Sequence, residues 1–415
     1  MRNMSSRRAL TCCFLFVTMA YGRNLTPAWI ELGPDGQTLA RIVVESGDVC
    51  PALSADNKPL AMQRREPVPE GFEPACEAVV PSAARTLTFE GRTLPLPSTP
   101  SVVAVLGDTG CRVSAKDTQN CANPELWPFR KVADRIALLR PGLIVHVGDY
   151  LYREVPCPDE AKGCKGPHGD NWAAWDADFF SAAREALAAA PWAFSRGNHE
   201  TCARSWRGWF YYLDPRPFTN SCVDYSAPYI VHSGTLRIGM LDSAPTQEDE
   251  KDRAQVEHFA QDLKSFSGRV DWIADHHPFW AYKAVAGHPS ETQILSLPLA
   301  AAWDQVHPQG VRMIMSGHIH LFEFLAFDRN RPAQLVAGTG GTNLALKVKP
   351  NLAGESVFGV AVNTGNSGHE FGYTELDRKG AGWNLEFRNS NGVDQVDCTL
   401  PDRGNSQCRS PHTVE

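Results

Sequence analysis

The sequence has no excess of positive charge. Its 40 Lys and Arg residues are outnumbered by 47 Asp and Glu residues, and the net charge is −7. Without a basic surface the chain is not expected to bind nucleic acid or another polyanion tightly, so we expect a small substrate. The sequence also lacks any apolar stretch long enough to cross a membrane as a helix.

A Cys-x-x-Cys pair, the usual signature of a structural zinc site, is missing as well. Of the 12 cysteines, Cys12 and Cys13 lie in an apolar run at the N-terminus, and the others are even in number. They fall into close pairs along the chain, which favours local disulfide bonds. We predict pairing in sequence order, as Cys50–Cys76, Cys111–Cys121, Cys157–Cys164, Cys202–Cys222 and Cys398–Cys408.

The N-terminus has the layout of a secretory signal peptide. Three arginines precede an apolar run of about 13 residues, Ala9 to Tyr21, and small residues stand at Ala20 and Gly22. The run is too short to span a bilayer as a helix, so we predict a signal peptide over residues 1–22 and export to the periplasm or the exterior. A buried helix and an uncleaved interfacial anchor are the alternatives. Ser6 to Leu10 also partly matches a twin-arginine signal, which leaves the export route open.

The rest of the chain divides into one large region and a smaller one. Residues 23–100 are rich in proline and turn residues and have no helical period, which predicts a small β-rich region ending in a linker. Residues 101–397 alternate strands with helices, the latter predicted near 123–139, 172–189 and 254–266, and this pattern indicates an α/β layered domain. Residues 398–415 are expected to form an irregular tail.

Five polar blocks in the large region each follow an apolar run that is predicted to be a buried strand. The blocks are Gly107-Asp108-Thr109-Gly110, Gly148-Asp149-Tyr150-Leu151-Tyr152, Gly197-Asn198-His199-Glu200, Asp275-His276-His277-Pro278 and Gly317-His318-Ile319-His320. Open α/β sheets hold their sites at the C-terminal ends of strands, so we expect these blocks to converge. Any one block alone would be unremarkable, because an Asp after a strand is commonly a turn residue.

Together the blocks offer the ligands that a pair of metal ions needs. Two hard cations about 3.5–4 Å apart require a bridging carboxylate with terminal oxygen and nitrogen ligands. A carboxylate and imidazole set without thiolates suits Zn, Fe or Mn. The residues that supply this set are Asp108, Asp149, Asn198, His276, His318 and His320.

In these ordered blocks the sequence resembles the calcineurin-like metallophosphoesterase superfamily, over about residues 101–390. The family blocks are Gly-Asp-x-His, Gly-Asp, Gly-Asn-His-Glu, His-x-Pro and Gly-His-x-His, and the resemblance implies a sandwich of two mixed sheets flanked by helices. The chain departs from the family at Gly110, where a metal-binding histidine is usual. Tyr152, however, occupies the position of the tyrosinate ligand of the purple acid phosphatase branch, which also has glycine in the first block.

The resemblance implies a role for each motif residue. The first metal would take Asp108, Tyr152 and His320, the second would take Asn198, His276 and His318, and Asp149 would bridge them. Because a phenolate favours Fe(III), the expected cofactors are Fe(III) and a divalent Zn, Fe or Mn ion. His199 resembles the histidine that contacts the phosphate and acts as general acid. Glu200 is expected to orient a neighbouring loop or ring, Tyr150 to belong to the core, and His277 to line or support the site.

The expected function is an exported, acid phosphatase-like enzyme in which metal-activated hydroxide attacks a small phosphate monoester. Residues around the leaving group are expected in Glu154 to Asn171, Cys202 to Tyr225 and Trp280 to Gln293, which includes His288. Two alternatives stay open. One is a di-zinc or di-manganese phosphodiesterase of the same fold. The other is a secreted binding protein without catalysis, which is disfavoured because every ligand position is filled.

Overall fold

The computed structural model describes residues 23–409, with the exception of 249–250, 286–287, 295, 328–330 and 403. The predicted signal peptide and the side chain of His288 lie outside this description. Within the described part of the chain, no helix is both long and apolar enough to span a membrane.

The helices are short and the strands are many. The α-helices are α1 (Phe129–Leu139), α2 (Trp172–Trp175), α3 (Ser181–Leu187), α4 (Trp206–Gly208), α5 (Arg253–Phe266) and α6 (Leu297–Val306). A π-helical segment, Asp176–Phe180, joins α2 to α3, and another, Trp209–Leu213, follows α4. Short 3-10 helices cover Pro34–Gly36, Glu160–Lys162 and Asn198–Glu200.

In chain order, the strands are β1 (Trp29–Leu32), β2 (Thr38–Val43), β3 (Ala52–Ala55), β4 (Lys58–Ala61), β5 (Gln63–Arg64), β6 (Ala75–Val79), β7 (Leu87–Phe89), β8 (Arg92–Thr93), β9 (Val102–Leu106), β10 (Leu143–His146), β11 (Pro191–Phe194), β12 (Tyr229–Ser233), β13 (Leu236–Met240), β14 (Trp272–Ala274), β15 (Tyr282–Val285), β16 (His288–Ile294), β17 (Met313–Ser316), β18 (Phe322–Phe327), β19 (Ala333–Ala337), β20 (Ser356–Val357), β21 (Val360–Gly368), β22 (Gly372–Lys379), β23 (Gly382–Asn389), β24 (Asp394–Leu400) and β25 (Cys408–Arg409).

The first large sheet has 11 strands in the order β25-β24-β23-β22-β9-β10-β11-β1-β2-β6-β5. At its centre β9, β10 and β11 are parallel, and β1 adds to them by parallel pairing with β11. Strands from residues 23–100 therefore extend the sheet of the large region. The other N-terminal strands form a 4-stranded sheet, β4-β3-β7-β8, which packs on this extension.

The second large sheet has eight strands in the order β12-β13-β14-β17-β19-β18-β21-β20. Its strands β13, β14, β17 and β19 are parallel. Strands β12 and β13 form the pair that the sequence predicts on either side of Ser233-Gly234. Strands β15 and β16 form a separate hairpin.

The two sheets pack face to face, and helices cover their outer faces. Val103 and Val105 of β9 lie in the core between the sheets, whereas Ala104 and Leu106 pack against the helical layer that includes α1 and α3. Side chains alternate along a strand, so a strand buried on both faces is apolar throughout. On the far side, α5 and α6 cover the second sheet. The predicted sandwich of two mixed sheets flanked by helices is confirmed.

Two boundaries differ from the sequence prediction. Helix α1 begins at Phe129 and not near residue 123, because the amides of Leu126 and Trp127 both donate to Asn123 O in a turn and Pro128 precedes the first helical residue. The tail predicted from residue 398 is not wholly irregular. Cys398 to Leu400 belong to β24, and β25 pairs with it through Cys408.

The five predicted disulfide bonds are confirmed. They join Cys50–Cys76, Cys111–Cys121, Cys157–Cys164, Cys202–Cys222 and Cys398–Cys408.

Candidate metal centre

Five loops bring the polar blocks to one edge of the sandwich. They follow β9, β10 and β11 in one sheet and β14 and β17 in the other. Asp108, Asp149 and His318 have φ angles of 57°, 62° and 68°. That left-handed conformation costs a residue other than glycine about 1–3 kcal/mol and is found mainly where surrounding contacts enforce it, often at functional sites.

One group of side chains surrounds the hydroxyl of Tyr152. The Tyr152 Oη atom donates a hydrogen bond to Asp149 Oδ2 at 2.6 Å. It also lies 3.1 Å from Asp108 Oδ1 and 3.1 Å from His320 Nε2. These are the residues that the sequence analysis assigns to the first metal, together with the bridging carboxylate.

Gly110 provides the space that the ring of Tyr152 occupies. A Cβ atom at position 110 would lie 2.9 Å from Tyr152 Cδ2 and 2.5 Å from the carbonyl oxygen of Tyr150. Real Cβ atoms essentially never make contacts this short. A side chain at position 110 would therefore clash with the backbone of the loop that carries Tyr152 as well as with its ring, so this loop conformation requires glycine at position 110.

A second group surrounds the amide of Asn198. Its Oδ1 atom lies 2.9 Å from His276 Nε2 and 3.1 Å from His318 Nδ1. His276 Nε2 is also 3.3 Å from Asp149 Oδ2. Asp149 thus contacts both groups, and the structure brings all seven predicted ligand residues together.

The three histidines are oriented by acceptors outside the cluster. His276 Nδ1 contacts the Val147 carbonyl oxygen at 2.8 Å, and His320 Nδ1 contacts the Asn343 carbonyl oxygen at 2.7 Å. His318 Nε2 lies 2.7 Å from Glu248 Oε1. A proton held on each of these nitrogens leaves the lone pair of the other nitrogen directed into the cluster, as metal ligation requires.

The cluster is rich in acceptors and poor in donors, which is the chemistry of a cation site. Asp108 and Asp149 are fully buried, and ligand atoms of these two residues and His276 lie within 4.8 Å of one another. Burial opposes charge on His276, but the Asp149 carboxylate outweighs it and raises the pKa of His276 to about 10. Burial, with Asp149 and Asp108 close by, raises the pKa of Tyr152 well above its usual value. A bound cation would replace the proton on either group, so the donor set fits two metal ions.

Two buried carboxylates hold the loop that carries Asp149 and Tyr152. Glu200 accepts hydrogen bonds from the backbone amides of Asp149, Tyr150 and Leu151 at 2.9–3.2 Å, which is the orienting role expected of it. Asp178, in the π-helical segment between α2 and α3, accepts from the amide of Tyr152 at 2.8 Å. π-Helical segments are frequent at functional sites because they reposition single side chains.

His199 lies at the rim of the cluster in a small polar chain. Its Nε2 atom is 3.9 Å from Asp149 Oδ2, and its Nδ1 atom is 3.0 Å from Glu154 Oε1. The same Glu154 oxygen lies 3.2 Å from Arg204 Nε. The ring of Tyr152 packs on His199 with 3.8 Å between ring centroids.

The sequence analysis did not identify Glu248, Glu154 or Arg204. None belongs to a motif, and no pattern in the sequence distinguishes them from other charged loop residues; Glu154 and Arg204 fall within loops expected near the leaving group. Tyr150 is a buried core residue whose hydroxyl donates to Ser195 O at 2.9 Å, as expected. His277 stacks on His318 with 4.2 Å between ring centroids and supports that ligand.

A two-sheet sandwich with carboxylate, amide and imidazole groups that could hold metal ions at its strand ends is typical of a metal-dependent hydrolase. The sequence model of the calcineurin-like phosphoesterases matches residues 101–322, more than half of the chain. The chain belongs to this family and is a phosphoric ester hydrolase. The resemblance in its motifs is thereby confirmed.

Two solved structures share the fold. A purple acid phosphatase from yellow lupin (Lupinus luteus) seeds has a TM-score of 0.55 and 15% sequence identity, over 92% of this chain and 74% of that one. PhoD has a TM-score of 0.54 and 11% identity, over 98% of this chain and 94% of that one. No curated protein sequence matches the chain.

Proposed function

We propose that the protein is an exported phosphatase that hydrolyses small phosphate monoesters with an Fe(III) ion and a divalent Zn, Fe or Mn ion. The observation that carries this proposal is the hydroxyl of Tyr152, which lies within 3.1 Å of Asp108, Asp149 and His320 in space left by Gly110. A phenolate is a hard, anionic donor that favours a trivalent ion. Five disulfide bonds support export, because such bonds persist mainly outside the cytosol.

The two groups of side chains divide the ligands between two ions. The first ion would be held by Asp108, Tyr152 and His320, the second by Asn198, His276 and His318, and Asp149 would contact both. When bound, two such cations lower the pKa of a water molecule and neutralise charge on the phosphoryl oxygens. The buried carboxylates of Asp108 and Asp149 determine where the positive charge of the two cations would be concentrated.

His199 is the proposed general acid. Its Nε2 atom faces the cluster. Burial lowers the pKa of His199, and the Glu154 carboxylate, 3.0 Å from Nδ1, opposes that effect by favouring the protonated ring. The stacked ring of Tyr152 limits rotation of the imidazole. His199 can therefore hold a proton on Nε2 and deliver it to the leaving oxygen, whereas Glu154 acts through it as a positioning residue.

Metal analysis with a visible spectrum of the purified protein tests the proposal. We expect about one iron per chain, a second divalent ion, and a violet band from tyrosinate-to-iron charge transfer. Rates on a monoester and a diester with the same leaving group, measured alongside, should favour the monoester. A colourless protein containing only zinc or manganese, with faster diester hydrolysis, would instead identify the phosphodiesterase.

A further inference from the structure

Arg204 lies at the mouth of the metal centre with much of its guanidinium group uncommitted. Its Nε atom is 3.2 Å from Glu154 Oε1, and its side chain is 38% exposed. Its Nη1 atom is 3.1 Å from the outward-facing atom of the Asn198 amide. Glu154 thus holds the Nε atom of the guanidinium group, and the Nη1 atom is directed at Asn198.

The Asn198 amide cannot satisfy Arg204 and a cation at the same time. When its oxygen faces His276 and His318, as ligation requires, the group that faces Arg204 is the NH₂. Two hydrogen-bond donors then oppose each other, and only an acceptor placed next to both can satisfy them. The opposite orientation would pair with Arg204 but would present NH₂ to the cation.

The acceptor can arrive through a cavity of about 330 Å³ that Glu154, Asp170, His199 and Arg204 help to line. The two carboxylates in this wall are already engaged. Asp170 accepts from Trp175 Nε1 at 3.0 Å and from the Arg207 amide at 2.9 Å, and Glu154 lies between His199 and Arg204. Water can fill this place in the free enzyme, and a substrate oxygen that displaces it would satisfy both donors. An anionic oxygen is the strongest partner for a guanidinium group.

We propose that Arg204, together with the Asn198 amide, binds a terminal phosphoryl oxygen of the substrate and so selects monoesters over diesters. This inference rests on the proposed function. A monoester has three terminal oxygens and a charge of about −1.5 to −2 at pH 7. A diester has one terminal oxygen fewer and a single charge. The terminal oxygen that the cations leave unbound would accept hydrogen bonds from Arg204 and the Asn198 amide. In a diester, the second ester substituent competes for the position of this oxygen.

The test compares Arg204→Gln with Arg207→Gln. Arg207 is exposed, lies three residues further along the chain in α4, and its guanidinium carbon is 4.7 Å from the centroid of the Trp206 ring. The substrates are 4-nitrophenyl phosphate and methyl 4-nitrophenyl phosphate, which share a leaving group. In Arg204→Gln we expect kcat/KM on the monoester to fall about 10–100-fold, the value of a hydrogen bond to a charged group, and the diester rate to fall much less. The inhibition constant of inorganic phosphate should rise by a similar factor, with bound metal unchanged.

Arg207→Gln should keep the wild-type ratio of monoester to diester rates. In Arg204→Gln, loss of metal or an unchanged ratio of monoester to diester rates would overturn the inference. An equal loss on both esters would also overturn it, because Arg204 would then act only by positioning Glu154 and His199. If Arg204→Gln does not fold, Arg204→Lys should show a smaller change in the same direction, since it keeps the charge without the planar fork. A wild type that prefers diesters would overturn the proposed function itself, which none of the variant results would do.

Discussion

Two clusters of buried polar side chains in the described part of the chain differ in how their hydrogen-bond donors and acceptors are matched. In the N-terminal strands, Arg41 is fully buried and every nitrogen of its guanidinium group has an acceptor. It pairs with Glu31 at 2.8 Å and Glu77 at 2.6 Å, and it donates to the carbonyl oxygens of Tyr212 and Asp214, each at 2.8 Å. This network attaches β1, β2 and β6 to the segment that follows α4.

At the metal centre the balance is reversed. Carboxylates, an amide oxygen and imidazole lone pairs face one another, and the main donor among them is the Tyr152 hydroxyl. Both clusters are buried and charged, so burial of charge does not by itself indicate function. The informative feature is a group of acceptors held together by protons on Tyr152 and His276, because a cation can replace such protons.

The largest expected effect is the loss of a direct ligand. Asn198→Ala or His276→Ala should reduce turnover to background, because each removes a ligand of the second metal. The fold should persist, since the sheets are packed independently of these side chains. Metal content by mass spectrometry and circular dichroism check both statements. Full metal occupancy with a normal rate in either variant would show that the site is misplaced.

His199→Ala should keep both metals and slow hydrolysis of esters with poor leaving groups by about 10²–10⁴-fold, the usual range for general acid catalysis. Esters with good leaving groups need less protonation and should lose less. Rates across a series of leaving groups measure the difference. The same loss at every leaving group would point to binding or packing in place of acid catalysis.

Arg41→Met tests the N-terminal cluster. It leaves Glu31 without its cation, whereas Glu77 keeps Arg65 Nη1 as a partner at 2.6 Å. Breaking a buried pair in this way typically costs about 3–5 kcal/mol. We expect urea denaturation to show this loss while the metal content of the folded protein is unchanged. As a control, Arg41→Met combined with Glu31→Gln should recover part of the stability, because it removes the carboxylate that Arg41→Met leaves unpaired. A loss of metal in Arg41→Met would mean that the two clusters are coupled.

Tyr152→Phe removes the hydroxyl group that donates a hydrogen bond to Asp149 at the metal centre. It should abolish the violet band and weaken binding of the first metal, while the matched variant Tyr150→Phe should do neither, because that hydroxyl donates to Ser195 O. Titration with iron, followed by the visible spectrum, is the measurement. An unchanged spectrum in Tyr152→Phe would refute ligation by this residue.

The smallest expected effect on stability concerns Glu323, a buried carboxylate that belongs to neither cluster. It accepts from the Tyr282 amide at 3.0 Å, and burial raises its pKa to about 8. Because its folded-state pKa lies above the unfolded value of 4.5, it favours folding at low pH and loses that contribution as pH rises towards 8. Glu323→Gln should therefore gain stability relative to wild type between about pH 4.5 and 8. Thermal unfolding at a series of pH values measures the gap, and a gap independent of pH would contradict the assignment.

Several features could be predicted because their causes are local in the chain. The polar blocks follow strands whose apolar runs are visible in the sequence, and each block carries its own ligand type. The disulfide bonds join cysteines 7–26 residues apart, so close spacing was a sufficient guide. The predicted start of α1 was wrong. Residues 123–128 could form either a helix or a turn before Pro128, and the periodicity of apolar residues does not show which of the two forms.

The sequence by itself thus determined the family, the kinds of ligand and the order in which they occur. The tertiary structure alone decided that β1 pairs with β11, some 160 residues away, and that Glu248, Glu154 and Arg204 reach the metal centre from loops without a motif. It also showed that the conformation of the loop that carries Tyr152 requires glycine at position 110. These outcomes depend on distances between segments that are remote in the chain, and such distances are set by the packing of the sheets and not by any local pattern.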